Sequence, residues 1–582
     1  MSRTLPEALA EVVAQIGEHA AYSDKVGIEG AGWRTLTWSQ LREQALDLAA
    51  GLVDIGVQPG DRVAIMARNR NEHVVADLAA VHAGAVSISI YLTFSPDQLG
   101  AVAAHAEPTV AIVEGSRELA LWAEAGALGV GSSVRHVVMM DPGTDTSAWS
   151  FERLGEVGRA ARATDPEPLQ ARIDSIGMDD PATILYTSGS TGAPKGVLVS
   201  HANVWFAAVG KGDPTINPGP PTIAYLPYAH ITERVLGMYI PQTTGWQPHQ
   251  VGPEEVYDAL LEVRPLLFFG VPRVWEKLAA RIEGALAAYP PEQRPDVEAA
   301  LAAGEAYVAG QQTGHTMTPE IKAAFAAADA AHLKALRATV GLDNVIWAAA
   351  GGAPLPVPVS TFLARLGIAL YNIYGMTETT ASISSSGAGD FRIGSVGRPP
   401  DGNEVRIGAD GEILVRGPAV TAGYFRAAEA SDHLFDEDGW LRTGDIGYVD
   451  DDGFLFVTDR KKELIITSVG KNIAPSNVES LLKRNPLISQ ALVYGEGRPY
   501  LVALLTLDPR VAAALTDDEV EAAVADAVAE ANRRLSRPEQ VKRYAVLPDE
   551  WRPETDELTA TLKLRRRVIH AKFAPHLSTL YE

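Results

Sequence analysis

Residues 186–196 read YTSGSTGAPKG, and seven of these eleven residues are Ser, Thr or Gly, with one lysine, Lys195, near the end. Glycines let backbone N–H groups approach a ligand closely, and short hydroxyl side chains add donors, so the stretch can close around a polyphosphate. Lys195 would add a point charge. The spacing is not that of a Walker A loop, which needs Gly, four residues, then Gly-Lys-Ser/Thr. Here Lys195 is followed by Gly196. Taken alone, a Ser/Thr/Gly run also reads as a plain flexible loop, so its meaning depends on the chemistry carried by the rest of the chain.

Four further segments carry matching chemistry, in order. YLPYAHITERV places His230 after a short apolar run, and AAAGGAPLP places Gly351, Gly352, Ala353 and Pro354 after the strand-like NVIWAAA. YNIYGMTETT carries Asn372, Tyr374, Thr377 and Glu378. The long segment LRTGDIGYVDDDGFLFVTDRKKELIITSVGKNIAP carries Asp445, Arg460, Lys462, Gly470, Lys471 and Asn472, and LTATLKLRRR downstream carries Lys563. Each has a role to play around one nucleotide. Gly-Gly-Ala-Pro allows backbone approach to a flat adenine, and the Tyr374 ring can stack on that base. Thr377 can donate to an α-phosphate. Glu378 is a hard oxygen ligand suited to Mg²⁺, which keeps several waters and bridges substrate phosphates. Asp445 can accept from both ribose hydroxyls, with Arg460 beside it. Lys563 can bridge a carboxylate and an α-phosphate while charge builds in a transition state. Each also has an ordinary reading: Tyr374 as core, Thr443-Gly444-Asp445 as a turn, His230 as a capping histidine, Lys563 as solvent-exposed. The order of all five segments argues against coincidence.

Elements that could position these residues are visible in the spacing. Residues 38–55 have helical periodicity, RVAIMA reads as a short buried strand, residues 72–83 are helical again, and AVSISIY resumes a strand. This alternation predicts an α/β domain with a largely parallel sheet. Residues 276–340 are Ala- and Glu-rich with a break at Pro290-Pro291 and predict two or three helices. From about Asp401, Gly-rich turns separate short strands, as in a β-meander or small distorted barrel. After Lys462 a second unit begins, with strands around ELIITS, QALVYGE and YLVALLTL and helices around 476–484 and 517–534.

The chain has 582 residues, too many for one core. Its formal net charge of −23 disfavours nucleic acid and anionic membrane as partners. Any anionic ligand must be held by local positive charge, and Arg460-Lys461-Lys462 and Lys563 to Arg567 are the two basic clusters, each with a simpler reading as solvated surface. There are no cysteines, which excludes disulfides, thiolate zinc sites and cysteine nucleophiles. The start reads as an amphipathic helix without a signal-peptide core. No window has 18 or more uninterrupted apolar residues. A soluble, cytoplasmic protein is expected.

The five segments closely resemble the adenylate-forming superfamily of acyl-CoA synthetases, firefly-type luciferases and peptide-synthetase adenylation domains, over nearly the whole chain. YLPYAHITERV, FGVPRVWEKL, YGMTETT and SVGKNIAPSNVE, with the helical insert between Lys277 and Val340, look most like AMP-forming long-chain fatty acyl-CoA synthetases. The resemblance implies an α/β N-terminal domain over 1–459, with a β-rich subdomain at about 400–459, and a mobile α+β lid over 460–582. It implies activation of a fatty acid by Mg·ATP to an acyl-adenylate, then transfer to CoA. Thr187, Ser188, Gly189, Thr191 and Lys195 would form the phosphate loop. Gly352, Ala353, Pro354, Asn372 and Tyr374 would line the adenine. Thr377 and Glu378 would meet the α-phosphate and Mg²⁺, and Asp445 and Arg460 the ribose. Lys462 takes the hinge position. Gly470, Lys471 and Asn472 lie on the loop that admits the pantetheine arm, Lys563 matches the adenylation lysine, and His230 a position near the acyl and thiol channel. Many relatives have Gly before that lysine, whereas Leu562 precedes Lys563 here. A fatty acyl-AMP ligase serving a carrier protein and a catalytically inactive binding protein are the alternatives. Chain length of the acyl group, oligomeric state and membrane association are left open.

Overall fold

The computed structural model describes residues 2–25, 32–141, 148–187, 194–210, 214–468, 471–552, 555–559 and 564–582; of Thr187 and Asn472 only the backbone is described. The alternating pattern of the first half builds a seven-stranded sheet. Its spatial order is Trp149–Ser150, His136–Met139, Val110–Val113, Arg62–Met66, Val86–Ser89, Pro181–Thr187, Lys195–Ser200. Every neighbouring pair is parallel except the last, where Lys195–Ser200 runs antiparallel to Pro181–Thr187. The helix Asn71–His82 is buried along nearly its whole length, including the polar Asn71, His73, Asp77 and His82, so it is packed on all sides. The helix Trp38–Asp54 begins at Thr37, whose hydroxyl accepts from the Gln40 N–H. It packs tightly against the helix Phe151–Thr164: a Cβ placed on Gly158 would lie 1.8 Å from the Asp47 carbonyl oxygen, so only glycine permits this crossing.

Two four-stranded sheets follow. One joins Pro221–Ala224 and Gln247–Gln250 to Ala20–Asp24 and Arg34–Thr37, tying the chain's beginning to its middle. The other has Leu267–Gly270, Trp347–Gly351 and Leu370–Tyr374 in parallel, with Ser384–Ser385 antiparallel at its edge. Between its first two strands lies the helical insert: Pro272–Ala287, Arg294–Gln311, Pro319–Ala328, a π-helical turn Asp329–Leu333 and Lys334–Ala338, interrupted at Pro290-Pro291 as the sequence predicts. Its apolar faces bury Trp275, Leu278, Ile282, Val297 and Leu301.

The meander predicted from residue 401 is an antiparallel sheet of Glu404–Ile407, Glu412–Arg416, Leu441–Val449 and Leu455–Arg460. Beyond it a separate hydrophobic cluster begins at Ile465. It packs the helices Pro475–Leu482 and Asp517–Arg533 against a three-stranded sheet of Ile488–Tyr494, Leu501–Leu507 and Val541–Val546. Among the described residues no helix is long and apolar enough to cross a membrane.

Candidate functional site

The strands Trp347–Gly351 and Leu370–Tyr374 are parallel and in register, Gly351 beside Ile373, so GGAP and YGMTETT leave the sheet at the same edge. That edge, outside the carboxyl ends of parallel strands, is where open α/β sheets bind ligands. Gly352 turns the chain with φ of +83°, a conformation glycine adopts without strain, and Ala353 and Pro354 are exposed beyond it. Asn372 is half-buried and its amide donates to the Ser395 carbonyl at 2.8 Å, which fixes the strand's flank.

Tyr374 ends its strand with the hydroxyl donating to Asp445 Oδ2 at 2.7 Å. Asp445 is 4% exposed, and its Oδ1 lies 3.0 Å from Nε of Arg460. Asp445 and Arg460 are register partners on adjacent strands of the meander, so pairing delivers the guanidinium to the carboxylate. Thr443 supports the pair: its hydroxyl accepts from the Asp445 N–H at 3.1 Å and donates to the Ile413 carbonyl at 2.7 Å. Burial first, then the neighbouring carboxylate, raises the Tyr374 hydroxyl well above the usual phenol range, so it remains a donor.

Thr377 and Glu378 lie on a single 3₁₀ turn, Thr377–Thr379. Thr380 and Ala381 follow with φ of +48° and +76°, a left-handed conformation that costs side-chain-bearing residues energy and recurs where geometry serves a site. The Thr380 hydroxyl, donating to the Ala419 carbonyl at 2.8 Å, pins this bend. Glu378 is buried and its Oε1 accepts from the Tyr424 hydroxyl at 2.8 Å. Lys195 stands with Nζ 5.0 Å from the centroid of the same ring. Tyr424 is not among the residues the sequence points to. Its only local signal is an aromatic residue after a glycine in TAGYF, which reads as core.

His230 behaves as the ordinary reading has it. It is the N-cap of the short helix Ile231–Arg234, with Nδ1 accepting from the Thr232 N–H at 3.2 Å. Next to it, Glu233 is buried, and its Oε2 accepts from the N–H groups of Leu226 at 2.8 Å and Tyr225 at 3.3 Å. Burial pushes its carboxyl up to about 8, against the pull of those two N–H donors.

Beyond Arg460, Lys462 is exposed, while Lys461 reaches back to Glu412 at 2.8 Å and to Asp410 at 2.5 Å. Lys471 is exposed, and its backbone pairs with Thr467. Ser188, Gly189, Thr191, Gly470 and Lys563 lie outside the described residues. The second basic cluster departs from the surface reading at Arg566. This side chain is half-buried, forks onto both oxygens of Glu479 at 2.7 Å and reaches Glu463 at 3.0 Å. The chain just after Lys563 is thereby fixed to the helix Pro475–Leu482.

A buried carboxylate, a tyrosine and an arginine thus meet at the carboxyl edge of a parallel sheet, with a second buried carboxylate on the next turn of the chain. The chain belongs to the AMP-binding enzyme family: residues 9–425 match that family, and residues 462–582 match the AMP-binding enzyme C-terminal domain. It is 35% identical over 568 residues to the protein named long-chain-fatty-acid–CoA ligase FadD15 of Mycobacterium bovis, covering 94% of this chain and 92% of that one. To the long-chain-fatty-acid–CoA ligase heimdall of Drosophila melanogaster it is 29% identical, covering 100% and 95%. Among solved structures, the A-PCP didomain of carboxylic acid reductase from Segniliparus rugosus in complex with AMP superposes with a TM-score of 0.76 at 20% identity, covering 100% of this chain and 82% of that one. The anthranilate CoA ligase AuaEII in complex with anthranoyl-AMP gives 0.74 at 18%, covering 99% and 98%. These two likenesses are of fold.

Proposed function

We propose that this chain joins a long-chain fatty acid to CoA in two steps, through a bound acyl-adenylate. One observation carries the reading: Tyr374, Asp445 and Arg460 meet at the carboxyl edge of a parallel sheet, with Glu378 on the next turn of the same chain. In the first step a carboxylate oxygen bonds to the α-phosphorus of ATP, and the bond to the bridging oxygen breaks, releasing pyrophosphate. In the second, the CoA sulfur bonds to the acyl carbon, AMP leaves with the electron pair, and the thiol proton passes to solvent.

Asp445 receives the ribose hydroxyls, its carboxylate being an acceptor held in place by Tyr374 and Arg460. The adenine lies between Tyr374 and the backbone of Gly352, Ala353 and Pro354, flanked by Asn372. Thr377 donates to the α-phosphate. Thr187, Ser188, Gly189, Thr191 and Lys195 hold the outer phosphates. Glu378 suits Mg²⁺ as a buried hard-oxygen ligand, and when bound the ion neutralises phosphate charge. Lys563 bridges the carboxylate and the α-phosphate in the first step. His230 lies near the acyl carbon. In this proposal residues 1–459 form the catalytic body and 460–582 the lid, turning at Lys462 to bring Gly470, Lys471 and Asn472 to the pantetheine. We place the reaction in the cytoplasm.

Purified protein given a C16 or C18 fatty acid, Mg·ATP and CoA should yield acyl-CoA, AMP and pyrophosphate, resolved by chromatography. ADP and phosphate as products would overturn the mechanism. Adenylate that accumulates without thioester in the presence of CoA would point instead to a ligase serving a carrier protein.

A further inference from the structure

Tyr424 stands where three segments meet, and none of the roles above uses it. Its backbone is fixed to the strand Lys195–Ser200: Phe425 N–H donates to the Gly196 carbonyl at 2.7 Å, Leu198 N–H to the Gly423 carbonyl at 3.1 Å, and residues 197 and 424 form a β-bridge. On its other flank Thr421 N–H donates to the Glu378 carbonyl at 2.8 Å. A third tie comes from Ser431, whose hydroxyl accepts from the Tyr424 N–H at 2.9 Å. The backbone that carries the side chain is therefore held from three sides. The Tyr424 hydroxyl reaches Glu378 at 2.8 Å, while its ring lies 5.0 Å from the Lys195 ammonium.

The two groups that Tyr424 touches carry opposite charge, and both are needed as charges. Without Tyr424 to hold each of them, the flexible ammonium and the carboxylate would be free to form a direct ion pair, cancelling the negative charge that a cation needs and the positive charge that phosphates need. Ordering two long side chains separately also costs rotamer entropy, which a rigid aromatic side chain defrays once for both. We infer that Tyr424 is a positioning residue of the ATP site, its hydroxyl orienting Glu378 and its ring face seating Lys195, so that the two charges stay apart until ATP enters between them. This rests on the nucleotide-site reading above.

The test uses equilibrium binding of ATP, measured by calorimetry on the full chain without acyl substrate or CoA, in EDTA and across a Mg²⁺ titration. Tyr424→Phe keeps the ring and removes the hydroxyl. Its affinity in EDTA should stay within about 2-fold of wild type, while the Mg²⁺ concentration for half-maximal tightening should rise about 10-fold, the scale of one hydrogen bond to a charged group. Tyr424→Leu removes the ring as well and should weaken binding in EDTA about 2–5-fold, the scale of an exposed cation–π contact. Lys195→Ala should then add little when combined with Tyr424→Leu, although it weakens the wild type. A Tyr424→Phe protein with the wild-type Mg²⁺ curve overturns the inference, whatever its thermal midpoint. So does a Lys195→Ala effect equal in both backgrounds. If Tyr424→Leu fails to fold, the Tyr424→Phe arm decides alone. Wild-type protein that binds no ATP would instead sink the nucleotide-site reading itself.

Discussion

Glu378 is the residue whose chemistry can be changed with least disturbance. Glu378→Gln keeps an oxygen for the Tyr424 hydroxyl to bond, so the turn it sits on should survive. It replaces a carboxylate ligand by a neutral amide, and Mg²⁺ affinity should fall on the order of 10²-fold, with the thermal midpoint nearly unchanged. Unaltered activity at low Mg²⁺ would remove Glu378 from the metal site. Lys563→Ala should slow adenylate formation roughly 10²–10³-fold, as for loss of one transition-state donor, and leave thioester formation from supplied acyl-adenylate much less affected. Equal damage to both steps, in single-turnover measurements, would exclude the role. Three of the residues singled out as distinctive functional groups in short segments, Asp445, Arg460 and Tyr374, do converge. Tyr424 was not legible, because its meaning lies in a partner 46 positions away and in a lysine on the distant strand Lys195–Ser200. Arg566 misled for a related reason. A basic run looks solvated until two glutamates from elsewhere in the lid enclose one member of it.

The short helix Ile231–Arg234 shows how one buried side chain can decide the behaviour of an element. Glu233 clamps the helix to the turn at Tyr225 and Leu226, and burial pushes its carboxyl up to about 8. An unfolded glutamate titrates near 4.3. Below that value both states are protonated and the clamp's stability is fully present. Between there and 8 the unfolded state ionises and the folded state does not, so stability falls with rising pH, by about 1.4 kcal/mol per unit where the difference is a full proton. Glu233→Gln retains an acceptor for the two N–H groups and cannot titrate. Its thermal midpoint should therefore vary less than wild type's between pH 5 and 8; parallel curves would show that Glu233 is ionised in the fold. The helix and strand types here followed from local periodicity. The order of the strands did not: Ala20–Asp24 pairs with Gln247–Gln250, a choice made by shape and burial between segments far apart in the chain.

The largest motion proposed for this molecule turns on one exposed residue. Lys461 is anchored to Asp410 and Glu412 and donates its N–H to the Gly444 carbonyl, so it belongs to the meander. Glu463 is held by Arg566, which also grips Glu479, so its side chain is tied to the C-terminal unit. Lys462 lies between these two anchors, and among the described residues its N–H makes no backbone hydrogen bond. Rotation there would break the bonds from the Glu463 and Leu464 N–H groups to the Arg460 carbonyl, 2.9 and 3.1 Å long, and from Ser476 to Asp459, and leave the side-chain anchors whole. Proline fixes φ near −65° and removes the N–H, which nothing here requires. Lys462→Pro should then hold the lid in one arrangement. We expect the adenylating one to persist, since Lys563 and the phosphate loop act together in it. The variant should release pyrophosphate in a single turnover at near-normal rate and make little acyl-CoA. A lowered thermal midpoint with both steps failing would mean that the proline had disrupted the strand Leu455–Arg460. Normal steady-state acyl-CoA synthesis would show that the lid does not turn at Lys462.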